Sequence, residues 1–385
     1  MQVEIISKVQ SNLEKYLSNI SEFYEKFDLF KAHRFKHLLG LDFSMPTIQI
    51  LGTNGKGSTG RYLALMLANS GFKVGHFISP HIFCVNERFS IYDKCDKQSN
   101  INELLEKSHE ILQTKLKDIN TKESLSYFEY LCFLSTIVFS DCDYVVLEAG
   151  VGGEYDATSI FKRDFCIFTP ISIDHCDLLG NELDSIFRTK IKAMQGVNIF
   201  ANKNEMIIKA ANQKGVKAVF LNGDYSKLCL DENEFLKHNF SLAQLGYFEI
   251  IKHFYVENPI KLDLKARCER IAKNIIIDVG HNAAAALNLK NEIKKQFNSK
   301  VILIANFFAN KEVEKILAIL KDSIKEVQIL DYESSRELAN LEQICNNLNI
   351  KNTRFKFLDE NENYAVFGSF LLVERFLCKQ NFMNI

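Results

Sequence analysis

Tryptophan is absent from this 385-residue chain, and none of its ten cysteines stands in a C-x-x-C pair. The cysteines, at 84, 95, 132, 142, 166, 176, 229, 268, 345 and 378, follow no paired-loop rhythm, and several lie in apolar runs where a thiol packs as a small hydrophobe. That spacing speaks against a disulfide framework or a cysteine metal site and fits a reducing cytoplasmic compartment. No long apolar run occurs either. Tyr130 to Phe139 is the longest, interrupted by Ser135 and Thr136 and too short to span a bilayer. The first residues lack the basic and apolar regions of a secretion signal. Charge of one sign is also missing: 47 basic and 48 acidic residues leave a formal net charge of −1, so neither nucleic acid nor an anionic membrane is indicated as a partner. Any anion binding must be local.

The chain is too long for one ordinary core, and its 47% hydrophobic content can fill two. Apolar spacing predicts helices over 2–25, 61–70, 101–117, 126–139 and 236–245. Short β-rich runs predict strands at 47–51, 73–78, 88–91, 144–147, 165–168, 198–200 and 218–220. Strand–helix alternation of this kind argues for an α/β fold with a mostly parallel sheet, which binds ligands beyond the carboxyl ends of its strands. After a polar stretch at 222–233 a second α/β unit begins. It has expected strands at 274–279, 300–304, 326–330, 355–357 and 364–366 and helices at 283–296, 311–321, 338–348 and 369–377. We therefore expect domains at 1–264 and 265–385, without an internal repeat or a low-complexity linker.

The most informative segment is Leu51-Gly-Thr-Asn-Gly-Lys-Gly-Ser-Thr59, which runs from a buried strand into a glycine-rich loop and a helix. Gly52, Gly55 and Gly57 permit the positive φ angles and close backbone approach by which successive N–H groups converge on phosphate oxygens. Lys56 adds a point charge. Ser58 or Thr59 offers a hydroxyl where the helix dipole already favours an anion. Gly57 separates the lysine from the hydroxyl, unlike the common G-x-x-x-x-G-K-[ST] form.

Three further strand ends carry polar side chains. Glu148 precedes a second glycine-rich loop, Ala149 to Thr158, and would either supply an oxygen ligand to Mg²⁺ or organise that loop. His175, beside Asp174, could ligate a metal through one ring nitrogen or be structural. Asp278 and His281, at the first strand end of the second unit, could grip a nucleotide from across a cleft, although turn chemistry explains Asp, Gly and Asn there equally well.

With these elements in this order, the chain resembles the Mur-ligase superfamily, and most closely its folylpolyglutamate synthase/dihydrofolate synthase family. The resemblance is carried by the phosphate loop, Phe77-Ile-Ser-Pro-His81 with Asn86-Glu-Arg88, Ser126-Tyr-Phe-Glu129, Glu148 with Gly150-Val-Gly-Gly153 and Asp156-Ala-Thr158, Asp174-His175 with Leu179-Gly180, and Asp278-Val-Gly-His-Asn282. It implies a P-loop Mur-ligase-like central domain and a smaller Rossmann-like C-terminal one.

The same resemblance implies roles. Gly55, Lys56, Gly57 and Ser58 would hold the phosphates of ATP, with Asn239 near the adenine and Arg267, Asp278 and His281 completing the nucleotide site. Ser79, Glu148 and His175 would ligate Mg²⁺, and Lys190 falls where the family has a lysine carbamylated by CO₂. Pterin contacts would come from Ser124, Leu125, Ser126 and Tyr127 and from Tyr155, Asp156 and Ala157. Lys56, Lys190 and His175 would form the catalytic set. Three departures stand out: Lys190-Ile-Lys-Ala makes Lys192 a rival for the modified lysine, Ala283 replaces a proline, and Ala266-Arg-Cys replaces glycine-arginine before an apolar residue.

The implied reaction joins L-glutamate to dihydropteroate and to tetrahydrofolate derivatives through an acyl phosphate, with charge neutralisation and positioning supplying most of the rate. The expected form is a monomer, and the alternative is another superfamily amide ligase acting on a different carboxylate.

Overall fold

The computed structural model describes residues 11–20, 28–93, 96–97, 101–119, 121, 123–172, 182–380 and 382. Among these residues eight strands build a first sheet: β1 (Thr47–Leu51), β2 (Val74–Phe77), β3 (Phe89–Asp93), β4 (Asp96–Lys97), β5 (Tyr144–Glu148), β6 (Phe165–Phe168), β7 (Val197–Phe200) and β8 (Lys217–Phe220). Their order is β4-β3-β2-β5-β1-β6-β7-β8, parallel except that β3 runs antiparallel to β2 and β4. β1 is buried along its whole length between β5 and β6, as expected of an apolar strand inside a parallel sheet. Chain connections depart to opposite sides of β1, so a crevice opens beyond its carboxyl end.

A second sheet holds β9 (Glu269–Ala272), β10 (Ile275–Asp278), β11 (Val301–Ala305), β12 (Ile324–Ile329), β13 (Asn352–Arg354) and β14 (Tyr364–Phe367), in the order β13-β12-β11-β14-β10-β9. Among the described residues only β9 is antiparallel in this sheet. The fold is thus two α/β units with mostly parallel sheets. Among the described residues no helix is long and apolar enough to cross a membrane.

Several elements differ from the sequence reading for identifiable reasons. The helix after β1 spans Lys56–Asn69, not 61–70. Gly57, Ser58 and Gly60 are poor helix formers, yet the first turn is buried against the sheet, and a Cβ on Gly60 would lie 2.7 Å from His76 Nε2 and 3.2 Å from Ile50. Tertiary packing overrides propensity there. The expected strand at 355–357 is displaced to 352–354, where β13 pairs with β12; Phe355 turns into the core and Phe357 points to solvent. Of the helix expected over 2–25, Asn12–Leu17 is observed and capped by a Ser11–Glu14 box, whereas 1–10 and 21–27 lie outside the described residues. Helices at Leu29–Leu39, Leu183–Ile191 and Glu205–Lys214 had no expectation attached, and that at Glu234–Ile251 is longer than expected at both ends.

Candidate active site

A cavity of about 680 Å³ separates the two sheets and is lined by the phosphate loop, Ser79, Glu148, Arg267, Asp278 and His281. That volume suits a small-molecule ligand. Each wall follows from strand register. Glu148 ends β5 directly beside Ile50 of β1, so its carboxylate faces the loop that β1 feeds. Asp278 ends β10 on the opposite wall.

Gly55 has φ of +88° and stands immediately before the helix. Asn239, from the helix Glu234–Ile251, fills the space beneath it, so that a Cβ on Gly55 would fall 2.4 Å from Asn239 Oδ1. Among the described residues neither Oδ1 nor Nδ2 of this wholly buried amide has a hydrogen-bond partner, and the same is true of Ser58 Oγ at the helix start. Buried polar atoms without partners cost free energy unless a ligand satisfies them. An unpaired hydroxyl beside a lysine and a buried carboxylate fits a triphosphate with its divalent cation.

Lys56 Nζ lies 3.9 Å from Glu148 Oε1 and donates to the Thr53 carbonyl at 3.3 Å. Glu148 Oε2 accepts the Ser79 backbone N–H at 3.1 Å, so Ser79 reaches this carboxylate through its amide. Burial raises the Glu148 pKa, and Lys56, the Ser79 N–H, Arg267 and Arg88 oppose the rise. Among the described residues no three histidine, cysteine, aspartate or glutamate side chains cluster tightly enough to hold a metal. His175, expected in the metal set, lies outside the described residues, as do Asp174, Leu179 and Gly180.

On the far wall, Asp278 accepts the Cys268 N–H at 2.8 Å and the Gly280 N–H at 2.6 Å, and burial raises its pKa. His281 Nδ1 is 3.1 Å from the Val279 carbonyl. Arg267 packs over the Phe370 ring at 5.2 Å, and its Nη2 sits 3.8 Å from where a Cβ on Gly57 would be. Phosphate loop and second unit therefore meet at this arginine.

Lys190 is buried and donates to Gly52 O at 2.8 Å and Gly152 O at 3.4 Å, bridging the two glycine-rich loops. Lys192 instead pairs with Glu154 at the surface, 3.0 Å away. Of the residues expected at a pterin, Tyr127 lines the cavity beneath the Arg88 guanidinium, 5.2 Å from its ring. Ser126 caps the helix Tyr127–Val138 in a box with Glu129, Leu125 belongs to the core, and the exposed Ser124 offers its carbonyl to Lys31 at 3.3 Å. Asp156 and Ala157 are wholly buried; Asp156 accepts from Val151 N–H and from Thr158, folding the second loop without reaching the cavity wall. Tyr155 is 52% exposed and also stands off that wall.

Sequence reasoning assigned no role to several lining residues. His81 accepts the Arg88 Nε–H at 2.8 Å, and burial beside that cation pushes its pKa down to about 3. Phe308, Lys311, Arg336 and Arg375 line the second unit's side, with the Arg336 guanidinium 3.9 Å above the Phe308 ring. His81 and Arg88 did fall in quoted motifs. No local spacing marks the other four, which come together only through the second sheet.

The Mur ligase middle domain model matches residues 50–252, which is more than half of the chain. A crystal structure of Helicobacter pylori folylpolyglutamate synthetase is 36% identical, covers 96% of this chain and 98% of its own, and superposes with a TM-score of 0.75. This chain belongs to the Mur ligase family. Within it the chain falls among the folylpolyglutamate synthase/dihydrofolate synthase proteins. The Buchnera aphidicola (Schizaphis graminum) dihydrofolate synthase/folylpolyglutamate synthase is 26% identical over 92% of this Mur ligase and 95% of its own length. A bifunctional folylpolyglutamate synthase/dihydrofolate synthase crystallised with Mn, AMPPNP and L-glutamate bound shares the fold at a TM-score of 0.82, with 23% identity over 97% and 98% of the two chains.

Proposed function

We propose that this Mur ligase is an ATP-dependent acid–amino-acid ligase that adds L-glutamate to dihydropteroate and to reduced folates. The observation that carries the reading is the meeting of Lys56, Glu148 and Arg267 at one cavity between the two sheets, with Lys56 and Glu148 3.9 Å apart. In this reading the chain divides near residue 265. The loop Gly55–Ser58 grips the ATP phosphates, while Arg267, Asp278 and His281 close the nucleotide site and Asn239 supports the loop from beneath.

Glu148 and Ser79 would hold Mg²⁺, with His175 the third ligand. The cation would neutralise charge on the transferring phosphoryl group. Lys56 adds the point charge on this chain's own side. A substrate carboxylate attacks the terminal phosphorus of ATP and ADP leaves; the glutamate amine then adds to the carbonyl of the acyl phosphate, loses its proton, and phosphate departs. Closure of the second unit excludes the water that would hydrolyse the acyl phosphate. Lys190, carbamylated, would present a carboxylate near the metal; its burial between Gly52 and Gly152 supports it over the surface-paired Lys192. Tyr127 would form part of the pterin wall. Free thiols at Cys132, Cys142, Cys166, Cys229, Cys268 and Cys345 fit a protein working in the reducing cytoplasm, where it would act as a monomer.

The test is phosphate release by purified protein given ATP, Mg²⁺, L-glutamate and dihydropteroate. Release that needs both organic substrates supports the reading. Equal release without glutamate would overturn it.

A further inference from the structure

Arg61 is the one arginine of the phosphate-loop helix, and its guanidinium is buried beside Ser90, His76 and Tyr92. Nε donates to His76 Nδ1 at 3.0 Å, Nη2 to Ser90 Oγ at 3.0 Å, and Nη1 to both oxygens of Asp263 at 3.1 Å. Tyr92 contacts the same guanidinium and donates to Asp263 Oδ2 at 2.8 Å. Three of these partners are neutral. Among the described residues, Asp263 is the only carboxylate paired with Arg61. The next residue, Tyr62, donates to Asp231 Oδ2 at 2.6 Å, and that oxygen also accepts the Leu262 N–H at 2.8 Å. Adjacent residues of one helix thus reach adjacent residues of the segment that joins the sheets, Arg61 directly and Tyr62 through Asp231.

That segment continues into the site. Leu264 Cδ1 lies 3.7 Å, and Arg267 Nη2 3.8 Å, from the position of a Cβ on Gly57. Arg267 is flanked by two non-glycine residues in left-handed conformation, Ala266 at φ +56° and Cys268 at φ +51°. Such conformations persist only where their surroundings over-determine them. Here the Ala266 N–H is held by Glu269 Oε2 at 2.6 Å and the Cys268 N–H by Asp278 Oδ2 at 2.8 Å. The downstream end is therefore clamped by two carboxylates and the upstream end by Arg61.

We propose that Asp263 is a positioning residue: by pairing with Arg61 it fixes the joining segment so that Arg267 stays against the phosphate loop. Both oxygens of Asp263 accept from the same nitrogen, Nη1, and Oδ2 also accepts the Tyr92 hydroxyl, so two side chains hold this carboxylate. The inference rests on the nucleotide reading above.

A titration of the full chain with a non-hydrolysable ATP analogue and Mg²⁺ tests it, using wild type, Asp263→Asn, Asp263→Glu, Arg267→Ala and the Asp263→Asn/Arg267→Ala double variant. Asp263→Asn should weaken binding about tenfold, leave the KM for dihydropteroate unchanged, and cost less than about twofold more in the Arg267→Ala background, since coupled residues are not additive. Asp263→Glu should stay within about threefold of wild type because charge is kept. Melting curves establish that each variant is folded. Wild-type affinity in Asp263→Asn, or a loss that adds in full to that of Arg267→Ala, overturns the inference alone. No binding by wild type, or wild-type binding by Arg267→Ala, overturns the nucleotide reading and this inference with it.

Discussion

Asn54 and Asn282 exchange hydrogen bonds across the cleft: each side-chain amide donates to the other's oxygen, at 3.0 and 2.9 Å. Asn54 belongs to the phosphate loop. Asn282 caps the first helix of the second unit, accepting the Ala285 N–H at 3.0 Å. The pair therefore couples loop and helix directly. Asn54→Ala breaks the bridge and keeps the cap, whereas Asn282→Ala loses both. Two neutral hydrogen bonds are worth about 1–2 kcal/mol together, so Asn54→Ala should lower kcat/KM by about tenfold. Steady-state kinetics check this, and the melting temperature should fall more in Asn282→Ala than in Asn54→Ala because only the former removes a helix cap.

Glu148 sets stability against function. Its folded-state pKa is raised by burial, so the folded protein holds a proton more tightly there than the unfolded chain does. Stability then falls as pH rises from the unfolded carboxylate value through the folded one, the opposite of a salt-bridged surface acid. Glu148→Gln removes the buried charge. It should raise the melting temperature at pH 8 more than at pH 5, and abolish turnover. Added Mg²⁺ with ATP should stabilise wild type and not the variant, since a ligand stabilises only the state that binds it. Thermal melts across pH, with and without nucleotide, check both.

Lys190 and Lys192 make a matched pair for testing carbamylation. Lys190 is buried on two loop carbonyls, and Lys192 is held by Glu154 outside the site. Lys190→Ala should lose most activity and recover part of it with added acetate, which restores a carboxylate in the space left behind. Lys192→Ala should stay within about twofold of wild type, as surface ion pairs contribute about 0–1 kcal/mol. Activity assays with and without acetate distinguish the two positions.

Much of this was legible in the sequence because it is local. Glycine spacing revealed the loop at 52–55 but not that the helix already begins at Lys56, and strand-end position revealed Glu148 and Asp278. Other features are encoded in sheet order. Arg61 meets Asp263 across 202 residues, and Lys190 meets Gly52 across 138. No spacing rule reaches that far. Asp156 shows the converse: its motif was readable, but backbone N–H groups of its own loop take up its carboxylate. The two left-handed residues around Arg267 were readable only as a departure from glycine-arginine, without the φ values that explain why glycine suits position 266.

Position 266 yields a prediction in which opposing terms nearly cancel. Ala266 sits at φ +56° and is fully buried among the residues of the second unit's core. A left-handed non-glycine residue costs about 1–2 kcal/mol. Ala266→Gly would remove that cost, but loosens the unfolded chain by about 0.4–1 kcal/mol and gives up a buried methyl group worth about 0.8 kcal/mol. The expected net change in unfolding free energy is within about 0.8 kcal/mol of zero. Ala266→Val adds two methyl groups to a packed core and places a β-branched residue in the same conformation. It should cost at least about 3 kcal/mol and withdraw Arg267 from the loop. Urea denaturation of the two variants separates the cases: near-coincident midpoints for wild type and Ala266→Gly, with Ala266→Val far below, are the result that backbone strain at this position requires.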